Sequence, residues 1–253
     1  MIGSKKVACV IPARLKSTRF PRKMLSTLKG KPLLQWVWEA AKRTLLFDTV
    51  AFAIDSEETA RVIEGFQGVY FMTSEHCLVG TERLVELMNR ELIDADIWVN
   101  WQGDEPFIEQ QMICALLQTC EKDGSDVWTL KKRCHKPEEI QSPHAPKVVT
   151  DHQGFALYFS RSVIPYYRDL SPGENQMIFR HIGMYAFSRE GLQKISKLKP
   201  CDLELAEQLE QLRWLYHNIK VRVHETEHEV FGIDLEEHLA LAEAYLDAKY
   251  PPA

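Results

Sequence analysis

The chain has no long apolar run. Nowhere do about 18 apolar residues stand together, so no membrane-spanning helix is expected. The opening stretch MIGSKKVACVIPAR holds an apolar segment too short for a signal peptide, which makes the cytoplasm the expected compartment. Its six cysteines (Cys9, Cys77, Cys114, Cys120, Cys134 and Cys201) form no CxxC pair and no Cys/His ligand spacing, which argues against a structural zinc site. Cys9, inside an apolar segment, reads as a reduced and buried thiol. Positive charge is in deficit: a net charge of −5 argues against a chain that holds nucleic acid by bulk electrostatics. Internal repeats, low-complexity tracts and a convincing interdomain linker are all missing, so residues 1–253 read as a single domain.

Against that acidic background stands one basic stretch, VIPARLKSTRFPRKML, at residues 10–25. Val7 to Ile11 has the continuous apolar character of a central strand. Arg14, Lys16, Arg19, Arg22 and Lys23 then follow with no acidic residue among them. Like charges crowded on one loop repel unless an anion sits among them, and local charge on an acidic chain suggests a small anionic ligand. The loop lacks GxxxxGK[ST], so it is no P-loop of the ATPase kind. The alternative is a solvated basic loop.

Further along, strand-like and helix-like segments alternate. Strands are expected at Val50 to Ile54, Val69 to Met72 and Ile97 to Trp101. Helices are expected from near Pro32 through the Leu33/Leu34/Val37/Ala41/Leu45 spacing, over Glu57 to Gly65, and over Gly80 to Leu92. This rhythm predicts an α/β fold, Rossmann-like, with a mainly parallel mixed sheet and helices on both faces. Such sheets bind ligands at the carboxyl ends of their strands, where the basic loop lies and where QGDEP follows Trp101. The later chain is less regular. Short strands are expected at Val148-Val149, Phe155 to Phe159, His181 to Phe187 and Ile219 to Val223. One helix face runs through Leu205, Leu209, Leu212 and Tyr216, and a closing helix spans Leu235 to Ala248. Residues of about 140–200 read as an inserted subregion over the ligand end of the sheet, of the kind that often carries substrate specificity and dimer contacts.

Asp104, beside a glycine that would let a ligand approach the backbone, can hold a magnesium ion that bridges phosphate oxygens. It can equally be a turn aspartate bonded to nearby amides. Asp234 in GIDLEEHL is a second candidate metal carboxylate, or else a helix N-cap.

The motifs PAR-x-x-STRFP-x-K, GTERL, NWQGDEP, KVV, ALYFSRSVIP, HIGMYAF, LEQLRWL and GIDLEEHL follow one another as in 3-deoxy-manno-octulosonate (Kdo) cytidylyltransferases, and the chain resembles that family from about Val7 to Leu246. The resemblance implies a nucleotide-diphospho-sugar transferase type of fold, a homodimer, Mg2+, CTP and Kdo as substrates, no nucleic-acid or membrane partner, and a role in lipopolysaccharide assembly. It implies that Arg14, Ser17 and Lys23 bind CTP, with Gly80, Arg83 and Gln102 around nucleotide and sugar. Asp104 and Asp234 match the metal carboxylates, while Gln102, Arg161, His181, Tyr185, Glu210 and Gln211 match positions that hold the sugar acid. Arg14, Lys23, Asp104 and Asp234 are the expected catalytic set. On residue type alone His181 and Tyr185 read as packing residues, and Glu210 and Gln211 as positions that face either a ligand or water. The chain departs from the pattern at Arg22 and Met24, where the family has glycine and proline. It also departs at Val79, where a small polar residue is usual, and at Trp101, where an aliphatic one is. A CMP-sialate synthetase, another sugar-acid nucleotidyltransferase, or a non-catalytic nucleotide- or RNA-binding module are the competing readings.

Overall fold

The computed structural model describes residues 2–16, 20–169, 177–229 and 231–249. The chain divides into two compact units, Met1–Gln110 with Glu229–Ala253, and Gln111–His228. The expected 140–200 subregion lies wholly within the second.

The first unit carries the predicted parallel strands. The Val7–Ala13 strand is buried at every position and pairs in parallel with both Thr49–Ile54 and Ile97–Asn100, with Val10 opposite Ala51 on one side and Asn100 on the other. Thr49–Ile54 pairs in turn with Tyr70–Met72. Buried neighbours on both sides explain why Val7–Ala13 has no alternation of polar and apolar residues. The helices between them are Leu33–Arg43, Glu57–Glu64 and Gly80–Asn89. Ser56 caps the second by accepting the Glu58 amide at 3.1 Å. Leu45 continues the spacing of the first helix, but the helix stops at Arg43 and Leu45, at φ 54°, is exposed. The closing helix, Glu237–Lys249, buries Ala242 and Leu246 against Leu28, Leu33, Phe107 and Ile233. Three segments far apart in sequence thus share one apolar cluster.

In the second unit the Val127–Arg133 strand pairs in parallel with Val221–Glu225 and antiparallel with Phe179–Ser188. The strands Lys147–Thr150 and Ala156–Ser160 form an antiparallel ribbon. Val127–Arg133 escapes the sequence pattern because its apolar run gives way to Lys131-Lys132-Arg133. The helix expected through Leu205 and Tyr216 is two helices, Asp202–Glu207 and Gln211–Tyr216. Gln208 between them adopts a left-handed conformation, φ 52°. Leu209 and Leu212 are buried, whereas Leu205 and Tyr216 are 58% and 62% exposed, so the apparent stripe is not one face.

Gly103 in QGDEP has protein packed where a side chain would begin. A Cβ there would lie 2.9 Å from the Pro12 carbonyl oxygen and 3.1 Å from the Met24 sulfur. The glycine lets this loop pack on the end of the first strand. Gly103→Ala is therefore expected to cost about 1–3 kcal/mol of stability through overpacking. Thermal unfolding of the variant with an unchanged midpoint would contradict this.

Candidate active site

The basic loop is not a set of unbalanced charges. Lys16 pairs with Glu75 at 3.1 Å, Arg22 pairs with Glu58, and Arg14 donates from Nη1 to the Leu78 carbonyl at 3.2 Å. Repulsion within the loop is relieved by acidic residues from elsewhere in the chain, which the local sequence could not show. Ser17, together with Arg19, lies outside the described residues. Arg22 stands where the family has glycine, and its backbone shows why: φ is 58°, the left-handed region that glycine enters without strain.

Lys23 is 6% exposed, and its ammonium donates to Oδ2 of Asp104 and, at 3.3 Å, to Oδ1 of Asp234. The two aspartates, far apart in sequence, thus converge on one cation. Asp104 comes from the loop after the Ile97–Asn100 strand. Asp234 does not follow a strand directly. It precedes the closing helix, which begins only at Glu237, so it is not that helix's N-cap. Its amide donates to Nδ1 of His238 at 3.2 Å. The Ile233 amide donates to the Asp104 carbonyl at 2.9 Å, and the Trp101 indole N–H to the Glu105 carbonyl at 3.0 Å. The departure at Trp101 thus has a use, since an aliphatic residue has no such donor.

The pair of carboxylates suits magnesium. Among the described residues no group of three or more acidic, histidine or cysteine side chains forms a ready cage. Magnesium does not need one, because one or two carboxylates with phosphate oxygens and water complete its shell. Beside the pair, Oε2 of Glu105 is shielded from water and has no hydrogen-bond partner. Burial, and then the charges of Asp104 and Asp234, push this carboxyl up to about 8. Sequence reasoning missed Glu105; its place next to Asp104 was the available signal.

Gly80 opens the Gly80–Asn89 helix, where a Cβ would press on the Asn100 amide at 3.0 Å and on Pro12 at 3.1 Å. Gln102 donates to Oδ1 of the same Asn100 at 3.2 Å. Val79 has no side-chain oxygen to cap this helix. Glu82 partly compensates by accepting the amides of Leu78 at 2.5 Å and Val79 at 3.4 Å. Arg83 is buried, with its guanidinium engaged by Asp55 at 2.8 Å, by Thr73 and by the Ser74 carbonyl. The other oxygen of Asp55 accepts the Leu15 amide at 2.9 Å. Arg83 therefore supports the start of the basic loop through Asp55, a residue whose position at the end of a parallel strand was the only clue to its role.

Apart from Gln102, which belongs to the first unit, the expected sugar-acid residues lie in the second. Arg161 donates from Nε to the Glu207 carbonyl at 2.6 Å, and through Nη1 and Nη2 to the carbonyls of Pro143 at 2.8 Å and Gln208 at 3.2 Å. It clamps the left-handed turn from which Glu210 and Gln211 follow. Gln211 is buried, and Glu210 lies 3.8 Å from the guanidinium of Arg213. His181 and Tyr185 are buried in an aromatic cluster, with ring centroids 5.4 Å apart, Phe159 4.9 Å from His181 and Trp214 5.0 Å from Tyr185. Burial lowers the imidazole to about 3 and raises the Tyr185 phenol well above its ordinary range.

A parallel α/β sheet with a lysine and two aspartates gathered beyond its first and fourth strands is the arrangement of a nucleotidyltransferase. A family model described as Cytidylyltransferase matches residues 8–221. Proteins named 3-deoxy-manno-octulosonate cytidylyltransferase are similar throughout. The one from Geobacter sulfurreducens is 42% identical over 237 residues, covering 90% of this chain and 94% of its own. That from Chloroherpeton thalassium is 42% identical over 249 residues, covering 96% and 99%. Among solved structures, a CMP:2-keto-3-deoxy-manno-octonic acid synthetase complexed with CTP superposes with a TM-score of 0.90 at 36% identity, covering 96% of this chain and 99% of that one. A 4-diphosphocytidyl-2C-methyl-D-erythritol synthase from Anaerococcus prevotii, at 14% identity and a TM-score of 0.60, shares the fold alone. The chain belongs to the 3-deoxy-manno-octulosonate cytidylyltransferase family, with the Rossmann-like, mainly parallel mixed α/β fold expected.

His181 also sets a pH dependence. In the unfolded chain it protonates near its ordinary 6.5, whereas the folded protein resists until about 3. The unfolded state therefore binds more protons in between, and stability falls as pH drops through that window. Denaturant melts should show a loss of roughly 2 kcal/mol between about pH 6.5 and about pH 4.5 from this residue, and His181→Gln should flatten the curve. An identical slope in the variant would count against it.

Proposed function

We propose that this enzyme transfers CMP from CTP to the anomeric hydroxyl of Kdo, releasing pyrophosphate, in the service of lipopolysaccharide assembly. The observation that carries the chemistry is the convergence of Lys23, Asp104 and Asp234. The sugar hydroxyl attacks the α-phosphorus of CTP in line, and pyrophosphate departs from the opposite side. Little covalent work falls to the protein, so positioning and neutralised charge carry the rate. Lys23 supplies a point charge and Arg14 a planar fork for phosphate oxygens. Asp104 and Asp234 would hold magnesium, which would supply positive charge to offset that of the phosphates as pyrophosphate leaves. Gly80 and Gln102 lie beside Asn100, where the nucleotide's base and sugar are to be recognised. In the second unit, Arg161 orders the turn that presents Glu210 and Gln211 to the sugar acid, alongside His181 and Tyr185.

The same reading includes a homodimer, for which the exposed Leu157, Met177, Leu203 and Leu205 of the second unit supply apolar surface. It also includes a cytoplasmic setting, which suits six free cysteines. Among the described residues no helix is long and apolar enough to cross a membrane.

Pyrophosphate release measured over a panel of nucleotides and sugar acids tests the assignment. CTP with Kdo should be preferred, and a preference for sialic acid would transfer it to another sugar-acid enzyme. Lys23→Ala should lower kcat/KM for CTP by about 10²-fold or more. Asp104→Asn and Asp234→Asn should each reduce turnover by roughly 10²–10³-fold while circular dichroism stays native. The double variant should be little worse than the worse single one, because both residues serve one centre. Multiplicative losses, or unchanged magnesium dependence in Asp234→Asn, would separate the two residues.

A further inference from the structure

One buried hydroxyl in the second unit has no part in the mechanism above. Thr129 lies within the Val127–Arg133 strand and is fully buried. It faces an irregularity in the antiparallel pairing with Phe179–Ser188, where the register shifts between Ile182 and Tyr185. Its Oγ1 has three polar neighbours: the Met184 carbonyl at 2.8 Å, the Ile182 carbonyl at 3.1 Å and Nε2 of His181 at 2.9 Å.

A threonine hydroxyl has one hydrogen to give and lone pairs to accept with. Carbonyl oxygens can only accept. If the hydrogen pointed at the imidazole, two carbonyl oxygens would face the hydroxyl oxygen with no proton between them, so both contacts would be repulsive. The hydrogen therefore goes to a carbonyl, Met184 being the nearer, and the imidazole nitrogen must be the donor in its own contact.

We infer that Thr129 is a positioning residue that fixes His181 as the Nε2–H tautomer, so that Nδ1 offers a lone pair to a hydroxyl group of the sugar acid. The inference rests on the reading that His181 lines the sugar site. It gives that residue a definite role: His181 accepts from a sugar hydroxyl and is not the cation that meets the carboxylate. Burial agrees, since it keeps the imidazole neutral at physiological pH. Phe159 and Tyr185 flank the ring, so a chosen tautomer becomes a chosen direction for the lone pair.

The test uses the full chain labelled with 15N-histidine, with the His181 signals identified by their loss in His181→Gln. At about pH 7 the wild type and Thr129→Ser should both show the proton on Nε2. Thr129→Val keeps the shape and removes the acceptor, so protonation should shift partly to Nδ1. Its KM for Kdo should rise about tenfold and its KM for CTP by less than about twofold. Wild-type His181 protonated on Nδ1, or on both nitrogens, overturns the inference. So does a Thr129→Val enzyme with an unshifted tautomer, or one in which both KM values rise equally. Should Thr129→Val fail to fold, the wild-type and Thr129→Ser spectra decide alone. Failure of the underlying reading looks different: His181→Ala would leave the KM for Kdo unchanged whatever the tautomer.

Discussion

A lysine ammonium removed from water needs counter-charges, and Lys23 finds two, in Asp104 and Asp234. The three residues come from the loop after the first strand, the loop after the fourth and the segment before the closing helix. Their pairing brings distant parts of the chain to one point. Removing a single partner of such a buried pair leaves an uncompensated charge, which is more costly than losing the contact itself. On the proposed reading the same grouping would serve a metal-bound triphosphate, because the two carboxylates are already gathered on one cation.

Around it the backbone is held in several ways. Gly103 lets the QGDEP loop lie against the Pro12 carbonyl, and the Ile233 amide and Trp101 indole hold the carbonyls of Asp104 and Glu105. Asp55 links the buried Arg83 to the Leu15 amide, where the basic loop begins. These contacts hold in place the backbone that carries Asp104 and the start of the basic loop.

The second unit is held in a similar way. Arg161 has a carbonyl on each of three guanidinium nitrogens, so its first task is to hold the turn at Gln208. The position of Glu210 and Gln211 follows from that turn. His181 shows the same layering, with its ring plane set by aromatic neighbours and its polar edge by Thr129. In both units the residues named by the family pattern are supported by others the pattern does not mention.

The sequence alone determined the parallel strands of the first unit, since Val7–Ala13 and Thr49–Ile54 are apolar enough to be buried on both faces and such runs have few other solutions. The family motifs also singled out Lys23, Asp104 and Asp234, whose side chains the fold brings together. Periodicity failed where a single backbone angle intervened, as at Gln208, whose left-handed turn splits an apparent helix, and at Leu45, which lies beyond a helix end. It also passed over Val127–Arg133, whose basic end hides a strand. Only the tertiary structure decided which charges neutralise one another. Lys16, Arg22 and Lys23 of the loop are balanced by Glu75, Glu58, Asp104 and Asp234, partners some 36 to 211 positions away in the chain. Local spacing carries no information about such pairs, because their attraction depends on distance through space, which the fold alone sets.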